Sequence, residues 1–137
     1  MSEIKTDKLT GKTTAGNVTV TSEGGAATMQ LQQGLAKAWV NFDGTGTIAA
    51  RDSLNFSGLT DNGAGDYTVT ISNAMGNTDY SCGGSSQQNV AGTRGDFVVG
   101  LHSTAQTTTT RRLSTVDSGG TETDALVVNL QIFGDLA

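Results

Sequence analysis

Apolar positions recur along this chain with two different periods, and the place where one gives way to the other divides it. In residues 29–42, MQLQQGLAKAWVNF, the side chains of Leu31, Leu35, Ala38, Trp39 and Phe42 fall three and four apart, which predicts one stripe of a short helix. From Ala38 the pattern also reads with period two, Ala38, Val40 and Phe42 against Trp39, Asn41 and Asp43, so the helical turn is expected to hand over to a strand. Upstream, residues 1–28 alternate charge, Thr and Gly, and Val18-Thr19-Val20-Thr21 is the one extended piece. Such a segment buries too little apolar surface to offset its ordering entropy. A stem is expected there, ordered by pairing with copies of itself or by docking on a partner. Downstream, short alternating stretches are separated by turn signals roughly every ten residues, with no proline. The expected fold is all-β: an antiparallel β-sandwich head over residues 43–137, an extended stem over 1–28, and a short helical joint over 29–42.

The most constrained stretch is 54–71. With Asn62-Gly63 as the central pair of a type I′ turn, Leu54 falls opposite Ile71, Phe56 opposite Val69 and Gly58 opposite Tyr67, so the apolar side chains share a face. Asn55, Ser57, Thr68 and Thr70 share the other, and a slip of one residue would invert them all. Asp43-Gly-Thr-Gly-Thr47 and Asp117-Ser-Gly-Gly120 read as tight turns. Residues 73–95 are loop-rich, with one short strand expected around Asp79 to Cys82. Phe97, Val99 and Leu101 alternate with Val98, Gly100 and His102, and Thr107 to Thr115 has high β-propensity. Finally Leu126, Val128, Leu130 and Ile132 alternate with Val127, Asn129, Gln131 and Phe133. Val127 and Phe133 make that second face more apolar than solvent favours, which marks it as a surface between subunits.

Composition strengthens the case for association. Of 137 residues, 35% are hydrophobic and 5% aromatic, against 19 Gly. That is a thin supply when a domain of this length buries roughly two-thirds of its unfolded surface. Closed self-association lets each copy bury apolar surface against its neighbours. A net charge of −5 argues against nucleic acid, whose phosphates demand a basic face. The one basic pair, Arg111-Arg112, reads as a solvated edge-strand device that discourages aggregation. The start, MSEIKTDKL, lacks the apolar core of a signal peptide and no apolar run approaches a membrane span, so neither export nor membrane insertion is expected.

Candidate chemistry is sparse. A single cysteine, Cys82, makes no intrachain disulfide and reads as a small strand residue. The GxG in the Asp43 turn lacks the third glycine of a dinucleotide loop and the Lys-Thr/Ser of a phosphate loop. Asp61, Asn62 and Asp66 do not have calcium-loop spacing, and the lone His102 has no second histidine beside it for a metal, so no cofactor is expected. Polysaccharide cleavage needs two carboxylates at a fixed separation in a cleft, whereas Asp43, Asp61, Asp66, Asp117 and Asp124 fall mostly in turns. The expectation is a protein that is not an enzyme. The polar residues Asn77, Asp79, Tyr80, Gln87, Gln88 and Asn89 have the amide and aromatic character of a recognition surface, and they are also ordinary loop residues.

Three pieces carry a resemblance: GKTTAGNVTVTSEGGAAT with LQQGLAKAWVNFDGTGT over residues 11–47, LTDNGAGDYTV over 59–69, and LQIFGDL over 130–136. In this order they resemble the C-terminal region of short tail-fibre and related virion structural proteins of tailed phages of aquatic bacteria. The resemblance spans most of the chain. It implies a homotrimer with a β-rich head on an intertwined stem, located in the virion; in such a trimer the apolar stripe is expected to place Leu31, Leu35 and Trp39 near the three-fold axis, with Val127 and Phe133 at the subunit contact. The family's large N-terminal tail-attachment domain is not in these 137 residues. Two roles follow as expectations: a short trimeric fibre or tip touching a host-surface glycan or protein, or a capsid-decorating, cement or head-fibre protein. In either, residues 1–28 anchor the chain to another virion protein.

Overall fold

The structure, a computed structural model, describes residues 3–14, 17–87, 98–102 and 106–137. Among the described residues every regular element is a strand, and all pairings are antiparallel. In chain order these are β1 Thr19–Thr21, β2 Thr28–Gln30, β3 Ala38–Asp43, β4 Ala49–Leu54, β5 Phe56–Gly63, β6 Asp66–Ile71, β7 Ser81–Gln87, β8 Val98–Leu101, β9 Thr110–Val116 and β10 Val127–Phe133. The chain divides into two compact units, Met1–Leu35 and Ala36–Ala137. The division falls inside the stretch read as a joint.

The first unit is built on one hairpin. β1 pairs β2 with Thr19 opposite Gln30, Val20 opposite Met29 and Thr21 opposite Thr28, and the Leu31 amide extends the ladder by donating to Val18 O at 2.7 Å. Because side chains alternate, Val18, Val20, Met29 and Leu31 share one face, while Thr19, Thr21, Thr28 and Gln30 share the other. None of the described residues from 3 to 35 is buried.

The helical joint does not form. Gln30 is held in β2, and the bonds from Gln33 N to Gln30 O (3.1 Å) and from Leu35 N to Gln32 O (3.4 Å) make a single turn around Gly34 that goes no further. A stripe needs one continuous helix, and Ala38 and Trp39 instead lie in β3, facing opposite ways. The expected hand-over to period two at Ala38 is what the structure has, with Ala38, Val40 and Phe42 buried.

In the second unit two four-stranded sheets, ordered β4-β3-β10-β7 and β5-β6-β9-β8, share one core, consistent with a β-sandwich. The first sheet contributes Ala38, Val40, Phe42, Val128, Leu130 and Ile132, and the second Tyr67, Val69, Ile71 and Leu113. Tyr67 is fully buried, its ring edge-on to Phe42 at 5.1 Å and 75°. Its hydroxyl lies 2.9 Å from Gly44 O and 3.0 Å from Asp124 Oδ1, and Asp124 Oδ1 also accepts from Gly65 N at 2.7 Å. Burial, then the Asp124 carboxylate, push the Tyr67 phenol well above its ordinary value of 10.

The 54–71 hairpin forms with a different register. Leu54 ends β4 opposite Trp39, and the chain crosses to the other sheet at Asn55, whose φ of 54° is the only positive value at a non-glycine among the described residues. The Asn55 side chain holds this crossing by donating to Lys37 O and Asn73 O, both at 3.1 Å, and accepting from Asn73 N at 2.7 Å. Phe56 therefore pairs with Ile71 and Leu59 with Val69, bulges interrupt β5 after Phe56 and after Asp61, and the turn is Ala64-Gly65 rather than Asn62-Gly63. Tertiary contacts select it. Gly65 sits at φ +67°, its carbonyl accepts from Thr115 N at 2.7 Å, and a Cβ there would meet Thr115 O and Thr123 N at 2.5 Å.

Two further expectations are corrected. β7, SCGGSSQ, is longer than the strand expected around Asp79, because pairing all along β10 outweighs the poor β-propensity of Gly and Ser. The arginine pair is not an edge device, since β9 lies between β6 and β8. Arg111 points inward at 6% exposure, donates from Nη1 to Gln106 Oε1 at 2.7 Å, and keeps an unbonded Nε. Arg112 points outward and grips Asp66 with Nε to Oδ1 at 2.8 Å and Nη2 to Oδ2.

Gly65→Ala is expected to cost about 2–4 kcal/mol, because strain and overlap with backbone add. Gly83→Ala, where a Cβ meets nothing within 4 Å, serves as the neutral control in chemical denaturation. The second expectation concerns acid. The hydrogen bond from Arg112 holds Asp66 below its ordinary 3.8, and bonds from Thr45 do the same for Asp43. The unfolded chain thus takes up protons first, so stability is full above about pH 5 and falls as pH drops below about 4. Asp66→Asn should lower the melting temperature at pH 7 and flatten this acid arm.

Candidate interaction face

The outward face of the β4-β3-β10-β7 sheet gathers the polar and aromatic side chains that the core excludes. Register places them in rows. One row runs Leu54, Trp39, Gln131, Gly83 across four strands, and the next runs Asp52, Asn41, Asn129, Ser85. Phe133 flanks the first row opposite Ser81, and Val127 flanks the second opposite Gln87. Neighbouring positions across strands stand about 4.8 Å apart, and rows about 6.7 Å apart along them.

The second row is hydrogen-bonded through. Asn41 Nδ2 donates to Asn129 Oδ1 at 2.6 Å, and Asn129 Nδ2 donates to Ser85 Oγ at 3.2 Å. Both amides are thereby oriented, with donors pointing from β3 toward β7. In the first row Trp39 is half-buried, with Leu54 beside it at 48% exposure, and Phe133 is 38% exposed. Charge stays at the margin. Asp52 accepts its own Ser53 N at 2.8 Å, and the β-bulge after Asn41 lets Arg51 reach Asp43 Oδ2 at 2.8 Å, while Lys37 is buried.

The site residues expected from sequence separate into groups. Trp39, Val127 and Phe133 come together on this face, whereas Leu31 and the 55%-exposed Leu35 belong to the first unit. Asn77 and Asp79 are exposed in one loop, where Asn77 Oδ1 accepts Asp79 N at 2.8 Å, and Gln87 is exposed at the end of β7. Gln88 and Asn89 lie outside the described residues. Tyr80 is a correction: it is 6% exposed in the core, its hydroxyl 2.9 Å from Thr107 O and 3.1 Å from Thr110 O, and burial pushes its phenol up to about 12. Cys82, packed against the core, has a thiol pushed up by burial. Sequence reasoning did not single out Asn41, Asn129, Ser85 or Leu54. Period-two alternation signals the two asparagines, but only register places them side by side.

Asp43, Asp61, Asp66, Asp117 and Asp124 have structural tasks. Asp43 binds Thr45 N and Oγ1, Asp61 binds Gly63 N, Asp117 binds Gly119 N and Thr121 N, Asp66 grips Arg112, and Asp124 holds Gly65 and Tyr67. Among the described residues no group of three or more His, Cys, Asp or Glu side chains is placed to hold a metal, and no helix is long and apolar enough to cross a membrane. No family model, curated protein or solved structure matches the chain.

Tyr80→Phe is expected to lose about 0.5–1.5 kcal/mol by removing the hydroxyl that the buried ring directs at Thr107 O and Thr110 O. The same variant should leave any binding by the outward face unchanged, which denaturation and binding curves on one preparation would check.

Proposed function

We propose that the chain is a non-enzymatic structural protein of a tailed-phage virion, a short trimeric fibre or tip that touches the host surface. The observation that carries this reading is the contrast between its two units. The first is a hairpin with an apolar face, Val18, Val20, Met29 and Leu31, and no core of its own, with Val20 43% and Met29 52% exposed. An isolated two-stranded hairpin is marginal in water, so covering this face by other copies supplies the burial that it lacks. The second has its own core and presents a sheet face of mixed chemistry. The resemblance of residues 11–47, 59–69 and 130–136 to phage fibre proteins points the same way, and the structural tasks of Asp43, Asp61, Asp66, Asp117 and Asp124 favour a binding role over catalysis.

In this reading Leu31 belongs to the association surface through its place on the hairpin face, and residues 1–28 anchor the trimer to another virion protein. Val20→Asp is the direct test. Three carboxylates buried together without partners cost several kcal/mol each, so the mass by light scattering should fall from three chains to one while the melting of the second unit persists. An unchanged mass overturns the hairpin as the association surface. Cryo-EM of the parent particle tests location: density at the tail or its tip supports the fibre reading, and density at local three-folds of the shell makes the chain a decoration or head-fibre protein.

A further inference from the structure

We propose that the outward face of the β4-β3-β10-β7 sheet is a binding site for a neutral saccharide, with Trp39 as the stacking platform and the Asn41–Asn129–Ser85 row as the hydroxyl reader. The proposal rests on the host-contact reading for its biological setting, and it replaces the loops around Asn77 with a sheet face as the contact.

A sugar ring offers two chemistries at once: an apolar face of C–H groups and a rim of hydroxyls, each both donor and acceptor. A site for it needs an aromatic surface beside polar groups whose directions are already set. Trp39 is half-buried, with Leu54 and Gln131 at the flanking register positions, so part of a large aromatic side chain is open to solvent on this face and loses little freedom on binding. One row away, the bonds from Asn41 to Asn129 and from Asn129 to Ser85 use one N–H of each amide. Each asparagine keeps a second N–H and further acceptor capacity, and Ser85 keeps its hydroxyl proton. Donors and acceptors thus alternate along a line with strand spacing of about 4.8 Å, close to the width of one pyranose ring. Gln131 and Gln87, both exposed, extend the polar set on either side.

The same row argues against other occupants. An apolar partner covering it would strip water from these amides and return no hydrogen bonds, at about 1–3 kcal/mol for each group left unpaired. An anionic polymer meets Asp52 at the margin and a net charge of −5. Arg51, at the margin, is occupied by Asp43 and by Phe42 O at 3.1 Å, and Lys37 is buried. A neutral, hydroxyl-rich ligand satisfies both rows.

Trp39 is the single tryptophan of the chain, so intrinsic fluorescence reads the site directly. The intact chain would be titrated with neutral hexasaccharides of glucose, mannose and galactose, and with an alginate oligomer as the acidic control. The expected result is that at least one neutral sugar shifts the emission and lowers acrylamide quenching at least twofold, while alginate does neither. Trp39→Ala should weaken binding at least tenfold, read by calorimetry, and Trp39→Tyr should restore most of it. Asn129→Ala, a surface change that leaves the core intact, should weaken it several-fold. Failure of every neutral sugar, binding of alginate alone, or full affinity in Asn129→Ala overturns the proposal. So does a fall in oligomer mass in Trp39→Ala without sugar binding by the parent chain, which would make the face a subunit contact. Light scattering on the same samples separates the two readings: a monomer that still binds sugar removes the trimer and leaves this site standing.

Discussion

Much of the second unit depends on where one phenol points. Tyr67 is among the largest of the fully buried side chains, in a chain with few aromatics to spend on a core. Its ring joins the two sheets by meeting Phe42, and its hydroxyl reaches two connections, at Gly44 after β3 and at Asp124 before β10. Asp124 then takes the amide of Gly65 in the β5–β6 turn, so three separate connections are fixed around one polar atom pair. The glycines there are demanded by space: a Cβ on Gly44 would fall 2.5 Å from the Tyr67 hydroxyl. A buried polar node of this kind is costly when incomplete. That cost ties the turn chemistry to the core packing.

This node explains where the sequence was legible and where it was not. Strands whose two faces differ in polarity declared themselves: β3 and β10 alternate, and both bury the residues that alternation selects. The 54–71 hairpin was visible as a hairpin, but its register was decided elsewhere in the chain. Asn-Gly is the stronger local turn signal, yet docking of Gly65 against Thr115 and Asp124 draws the turn two residues on, and the bulges in β5 absorb the difference. The helical stripe failed for a related reason. Spacings of three and four also arise when a hairpin end, a turn and a strand follow one another, and only the continuity of backbone bonds tells these apart.

The polar residues were the least legible. Tyr80 and Arg111 both look like surface chemistry in one dimension, and both are buried, Tyr80 against the carbonyls of Thr107 and Thr110 and Arg111 beside Gln106. Their burial depends on partners that sequence spacing does not pair. The reverse holds for Asn41 and Asn129. Each looks like an ordinary outward residue, and they acquire a shared direction only because β3 and β10 lie side by side in a register that brings 41 opposite 129. Val127 and Phe133, read from sequence as a surface between subunits, share this outward face with Trp39 and the asparagine row.

The two exposed surfaces differ in what could satisfy them. The hairpin face of Val18, Val20, Met29 and Leu31 is apolar throughout and backed by no core, so whatever covers it stabilises the hairpin itself. The sheet face is already stable, because the core behind it is complete, and its amide row is best left to water or to a ligand as rich in hydroxyls as water. Burial of the first supplies apolar contact that the hairpin lacks, while a ligand on the second adds stability only in proportion to its concentration and affinity. A surface that must be covered suits permanent assembly. A surface that tolerates exposure suits reversible contact, and the two surfaces lie in different units of the chain.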